Sequence, residues 1–200
     1  MDRIFLALKL PPELRELLAL KQAGWKREAG RKIRWIPPDN LHVTLKFIGE
    51  TGEGRVRDII GICDTLFANL SSIDLVVDRT GIFPEPRRPR ILWAGVSDRD
   101  KRLALLRDSI ETGLADLGIP VEKRKFHPHV TVARVRRPRD MAEGFKKTFL
   151  TTLFSDNRFK ADGITLFRSM LQPSGPRYEA VAEWKSGDTG RTQDQCHAPS

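Results

Sequence analysis

The tetrad His42-Val43-Thr44-Leu45 recurs as His129-Val130-Thr131-Val132 in a chain that has only four histidines. In an extended strand successive side chains point to opposite faces, so each tetrad sets His beside Thr on one face and two aliphatics on the other. Such a chain must bury apolar residues beneath two strands and leave a matched polar pair above each. One tetrad alone reads as a strand histidine next to a good strand former. Its recurrence is what favours a shared task.

At 200 residues the chain can bury a core as one domain or as two small lobes with a common interface. No apolar run approaches the length of a membrane span, and Met1-Asp2-Arg3-Ile4-Phe5-Leu6-Ala7-Leu8 lacks the form of a signal peptide. A soluble cytoplasmic protein with no membrane partner is expected. Cys63 and Cys196 offer neither metal-ligand spacing nor a disulfide framework and read as reduced, incidental thiols. The formal charge of +9 belongs to the folded part, because residues 186–200 hold Arg191 against Asp188 and Asp194. The excess is clustered at Lys26 to Arg34, Arg87-Arg88-Pro89-Arg90, Lys123-Arg124-Lys125, Arg134 to Arg139 and Lys146-Lys147. That distribution suits a polyanionic partner better than a merely soluble surface.

Periodicity predicts strands near 3–9, 41–48, 73–82, 90–96, 129–135, 157–168 and 177–185. Helices are predicted from Pro12 onward and near 53–69, 99–117 and 139–150, with a turn-rich link through Trp35-Ile36-Pro37-Pro38-Asp39-Asn40. Several adjacent strand pairs among helices argue for an α+β fold. The strand, tetrad and helix sequence comes twice, which suggests two lobes with approximate two-fold symmetry. Residues 1–185 are read as a single bilobal domain and 186–200 as a polar, disordered tail.

Histidine is the side chain that serves as acid or base near neutral pH. If the two strands lie side by side across a cleft, one neutral imidazole can take a proton from water. The other, protonated, can deliver one to the leaving oxygen of a displacement at phosphorus. Each Thr hydroxyl can donate to a non-bridging phosphate oxygen. Such an arrangement needs no metal or other cofactor. His127 and His129 form a His-Pro-His pair able to share a metal, but no third ligand stands at supportive spacing, so no metal site is expected. Strict alternation also puts Lys46 on the His42 and Thr44 face, where it would add charge near a cleft. His197, in the tail, is read as silent.

Several ordered segments then carry a resemblance. They are Ile4-Phe5-Leu6-Ala7-Leu8, the run from Arg34-Trp35-Ile36-Pro37-Pro38 through the first tetrad to Lys46-Phe47-Ile48-Gly49, Arg90 to Val96, Phe126 to Arg134, and Leu166-Phe167-Arg168-Ser169. Over roughly residues 3–184 the chain resembles the two-histidine (2H) phosphoesterases, specifically the bacterial and archaeal RNA 2′,3′-cyclic phosphodiesterases historically called 2′-5′ RNA ligases. The resemblance implies a bilobal fold of two antiparallel sheets facing a central cleft, with helices outside. It also implies hydrolysis of a terminal 2′,3′-cyclic phosphate on RNA to a 2′-phosphate without a metal, and a capacity to join tRNA halves through a 2′-5′ bond.

By the same resemblance His42 looks like the proton donor to the departing 3′ oxygen and His129 like the base that activates water, although these labels can be exchanged. Thr44 and Thr131 look like phosphate ligands, and Arg134 resembles a family arginine that reaches the phosphate. The expected partner is RNA with a cyclic phosphate end, and the expected state is a monomer. Two other readings stay open. One is an RNA-binding module without catalysis; the other is a 2H phosphodiesterase acting on small cyclic nucleotides such as an ADP-ribose cyclic phosphate.

Overall fold

A computed structural model describes residues 2–30, 32–154, 157–172 and 175–187, and among these the apolar alternation and turn residues resolve into nine strands and four α-helices. Helix α1 (Pro12–Ala29) follows strand β1 (Asp2–Lys9) and opens on a proline at its first position, where the missing N–H costs nothing. It ends at Gly30, whose φ of 97° a side chain would resist. Next come β2 (Ile33–Trp35), a 3-10 turn at Pro38–Asn40, and β3 (His42–Thr51), which carries the first tetrad. Then follow α2 (Glu53–Leu66), β4 (Ile73–Phe83), β5 (Ile91–Ser97) and α3 (Arg102–Ala115). The second tetrad opens β6 (His129–Val135), before α4 (Glu143–Leu150), β7 (Arg158–Ala161), β8 (Gly163–Gln172) and β9 (Gly175–Lys185).

All strand pairs are antiparallel, in the order β7-β4-β5-β6-β3-β1-β8-β9, with β2 alongside the end of β6. The order reads the same outward from its centre. On each side a tetrad strand (β3 or β6) pairs with the strand one helix earlier in the chain (β1 or β5), and two further strands complete the lobe. The two half-sheets meet at the register pair Val43–Val130. The α+β architecture, the two antiparallel half-sheets and the approximate two-fold relation expected from the duplicated pattern are therefore present, joined as one strongly curled sheet.

Two local differences from the sequence expectation matter. Residues 33–35, read as part of a loop, form β2, because Ile33 is buried and the segment pairs with Val135 to Ala133. The strand expected over 157–168 breaks at Asp162 into β7, which borders β4, and β8, which lies between β1 and β9. A single residue thus links strands from opposite lobes, which is possible because the sheet curls until its two ends approach. The polar tail expected over 186–200 lies outside the described residues from position 188 onward.

One apolar core runs beneath both half-sheets. Val43, Val130 and Val132 are fully buried and Leu45 nearly so, so all four aliphatic positions of the tetrads anchor in it. The helices cross between the lobes: α1 packs on α4 and α2 on α3, while α3 also packs against β3. From α1 the side chain of Gln22 reaches β6, where its Nε2 donates to Val132 O at 2.8 Å.

Candidate active site

The two imidazoles are held in the same way. His42 Nδ1 lies 2.7 Å from Asn40 O, and His129 Nδ1 lies 2.6 Å from His127 O. A carbonyl oxygen can only accept, so each Nδ1 carries the proton and donates it. In the neutral ring Nε2 is then the free base; in the protonated ring it is the available acid. The local sequence explains the fit, since a proline-led turn at Pro38–Asn40 and Pro128 deliver the two carbonyls just ahead of the strands.

The register across the centre sets the rest. With Val43 opposite Val130, antiparallel pairing brings His42 beside Thr131 and Thr44 beside His129. Each histidine therefore neighbours the other tetrad's threonine. Neither threonine hydroxyl has a hydrogen-bond partner among the described residues. His42 also feels the positive charge of Arg134 and of His129, which draws Arg134 into the same constellation.

Strict alternation would place Arg134, three residues beyond Thr131, on the opposite face. A β-bulge corrects this. Opposite Trp93 and Leu92 of β5 stand Thr131 and Ala133, so Val132 is an extra residue that shifts the alternation by one. β3 does the same at the equivalent place: Ala7 and Leu6 of β1 face Thr44 and Lys46, with Leu45 as the extra residue. Arg134 thereby joins the tetrad face, and Lys46 leaves it. Lys46 is 4% exposed and donates to Glu111 of α3 and to Pro120 O. Its expected place near the cleft is overturned, because the bulge turns it into the core side.

Buried polar groups secure both bulges. Gln22 is 1% exposed, and its Nε2 donates to Ile36 O and to Val132 O, the bulge carbonyl that also accepts from Ile36 N–H at 3.0 Å, so it clamps the bulge to the segment after β2. Glu111 performs the matching task from α3 by holding Lys46, with Arg107 also at 3.1 Å from its carboxylate. Sequence reading missed both. The available signal was a polar residue within a helix's apolar stripe, as Gln22 stands between Leu18 and Trp25.

The rings differ in their surroundings. His42 lies 5.0 Å from the Phe5 ring and 5.3 Å from Tyr178, which meets it edge-on, with Phe167 at 6.3 Å. Burial in this aromatic shell pushes its pKa down to about 4, against the raising effect of the Asn40 hydrogen bond. His129 has Phe83 edge-on at 5.2 Å and Trp93 at 6.2 Å. Burial lowers its pKa too, with the bond to His127 O opposing. His127 is exposed, and no third His, Cys, Asp or Glu among the described residues gathers with it and His129.

A curled antiparallel sheet with one His-x-Thr-x tetrad per lobe, meeting at its centre, defines a two-histidine phosphoesterase. A model of LigT-like phosphoesterases matches residues 8–93 and 95–178, one tetrad in each segment. The chain belongs to the LigT-like phosphoesterase family. It is 30% identical to a protein of Methanocaldococcus jannaschii over 188 residues, covering 91% of this chain and 99% of that one. It is 32% identical to one of Aeropyrum pernix, covering 81% and 91%. Both relatives are named RNA 2′,3′-cyclic phosphodiesterase. Among solved structures, a Thermus thermophilus protein superimposes with a TM-score of 0.78 at 27% identity, covering 92% of this chain and 97% of its own. Escherichia coli LigT, solved with 3′-AMP, gives 0.75 at 25% identity, covering 94% and 99%.

Proposed function

We propose that this protein hydrolyses the 2′,3′-cyclic phosphate at an RNA 3′ end to a 2′-phosphate by paired-histidine catalysis that needs no metal. The observation that carries the reading is the matched pair of imidazoles, each with Nδ1 committed to a carbonyl two residues upstream and Nε2 left for chemistry. His129 Nε2 takes a proton from water as the water oxygen bonds to phosphorus. The bond from phosphorus to the 3′ oxygen breaks, and that oxygen takes the Nε2 proton of His42. Thr44 and Thr131 donate to the non-bridging oxygens, and Arg134 adds positive charge where negative charge develops. The names of the relatives supply the substrate class.

If the 5′-hydroxyl of a second RNA takes the place of water, the same displacement leaves phosphorus on the 2′ oxygen and forms a 2′-5′ bond. Joining of RNA half-molecules such as tRNA halves follows from that substitution. The deciding experiment incubates the protein with RNA ending in a 2′,3′-cyclic phosphate, with and without EDTA. The expected product carries a 2′-phosphate, at equal rates in both conditions. His42→Ala and His129→Ala should each lower turnover by a factor of about 10² to 10⁴, the usual worth of a positioned acid or base, while RNA binding stays close to that of the unaltered protein. A 3′-phosphate product, or near-full activity in either variant, would overturn the assignment.

A further inference from the structure

Beyond the tetrads the sheet face holds a second concentration of positive charge. β2 runs antiparallel to the end of β6, with Arg34 directly opposite Arg134. Cross-strand neighbours share a face, and like charges there repel. Among the described residues neither guanidinium has a carboxylate within ion-pair distance. The fold therefore holds two exposed arginines together with no protein anion between them.

A third group approaches from the other lobe. Arg34 lies against the start of β9, where a Cβ on Gly175 would collide with its Nη2. Glycine is what lets the guanidinium rest there. Asn40 Nδ2 donates to Pro176 O at 2.9 Å and ties β9 to the turn ahead of β3. Three residues along β9 from Gly175, Tyr178 meets His42 edge-on and feels the charges of both Arg134 and Arg34. Arg34, Arg134 and Tyr178 thus converge beside His42, at the end of the site toward which β6 runs. Past that point the chain continues through the exposed Arg136, Arg137 and Arg139.

We propose that Arg34 and the Tyr178 hydroxyl, beside the Arg134 that serves the reacting phosphate, form a second anion subsite that holds the phosphodiester on the 5′ side of the terminal nucleotide. The inference rests on the hydrolytic reading above. A cyclic phosphate closes the 3′ end, so the only other phosphates a strand can present lie 5′ of the terminal ribose. The subsite makes the protein select an RNA chain over a free nucleoside cyclic phosphate, and it directs the strand out over the β2 and β6 edge toward the arginine rim. An anion between Arg34 and Arg134 also offsets their mutual repulsion.

The test compares kcat/KM for adenosine 2′,3′-cyclic phosphate, which has no second phosphate, with that for a diadenosine dinucleotide ending in the same cyclic phosphate. The unaltered protein should prefer the dinucleotide by about tenfold or more, the worth of one well-placed charge-assisted contact. Arg34→Gln should reduce that ratio by about tenfold, chiefly through KM, and Arg34→Lys should restore part of it. The salt dependence of log kcat/KM on the dinucleotide should become shallower by about 0.7 in Arg34→Gln, the share of one single-strand phosphate contact. A dinucleotide with an uncharged methylphosphonate linkage tests the same contact in the unaltered protein. It should show the same loss, and combining it with Arg34→Gln should add little. An equal kcat/KM for the charged and uncharged linkages, or a ratio that Arg34→Gln leaves unchanged, overturns the subsite alone. Turnover of neither substrate by the unaltered protein overturns the hydrolytic reading and the subsite with it.

Discussion

His42 is placed to respond to what binds beside it. Its pKa of about 4 comes from burial among Phe5, Phe167 and Tyr178, so the ring is neutral at neutral pH in the free protein. A phosphate anion favours the charged imidazolium, which raises that pKa and draws a proton from solvent on binding. NMR titration of the His42 ring should give a midpoint near 4 in the free protein and a higher one with an RNA 2′-phosphate end bound. An unmoved midpoint counts against His42 as the acid. The same shift bears on stability. The unfolded ring titrates near 6.5, so between about 6.5 and 4 the unfolded chain binds the extra proton, and stability falls as pH falls through that window. His42→Gln should flatten urea-denaturation stability over that range.

Single residues also show what sequence reading reaches. His42, His129, Thr44 and Thr131 stood out because their spacing is repeated, and the structure brings all four to one junction. Arg34 and Tyr178 carried no such mark. One lies on a three-residue strand and the other on the last strand, and only the curl of the sheet brings them together.

At the scale of elements, the two bulges decide which side chains the tetrad strands present. Alternation is a reliable guide for as long as the ladder is regular, and it failed for Lys46 because an inserted residue is invisible in a pattern of period two. The bulged strands depend on the helices beneath them. Glu111→Gln leaves the Lys46 ammonium buried without its carboxylate and should cost about 3 to 5 kcal/mol in urea unfolding. Protein that remains folded should keep its turnover number, since the pair faces away from the cleft. Adding Lys46→Met to Glu111→Gln removes the stranded ammonium, while Arg107 keeps Asp108 at 3.2 Å and its bond to Glu122 O, and should recover most of the loss. A double variant no more stable than the single one would show that the pair itself, and not its uncompensated half, holds β3.

For the whole molecule, the crossed helices tie the two lobes together. α1 sends Gln22 to β6, α3 receives Lys46 from β3, and the apolar core is continuous beneath both half-sheets. We propose that residues 1–185 unfold in a single transition. Trp25 on α1 packs near Trp35 and Phe149, whereas Trp184 on β9 packs on Phe67 and donates to Asp64 at 2.7 Å, so the tryptophans report on different lobes. Variants keeping one or other of these tryptophans should give coincident denaturation curves; separate midpoints would mean that the lobes melt independently. The lobes, their symmetry and most elements were legible because apolar periodicity encodes them locally. The crossing of the helices was not, because it depends on which lobe each apolar stripe meets.

The junction of β3 and β6 also has a mechanical meaning. Among the described residues the two strands share the single register pair Val43–Val130, so the sheet forgoes rungs at its own midline. An anion lying among His42, Thr44, His129 and Thr131 would bridge both strands where backbone bonds do not, acting as a keystone. The protein should then be stiffest when occupied, with amide exchange at residues 42–44 and 129–131 slowing once product is bound. Release of that product would be a loosening of the sheet itself.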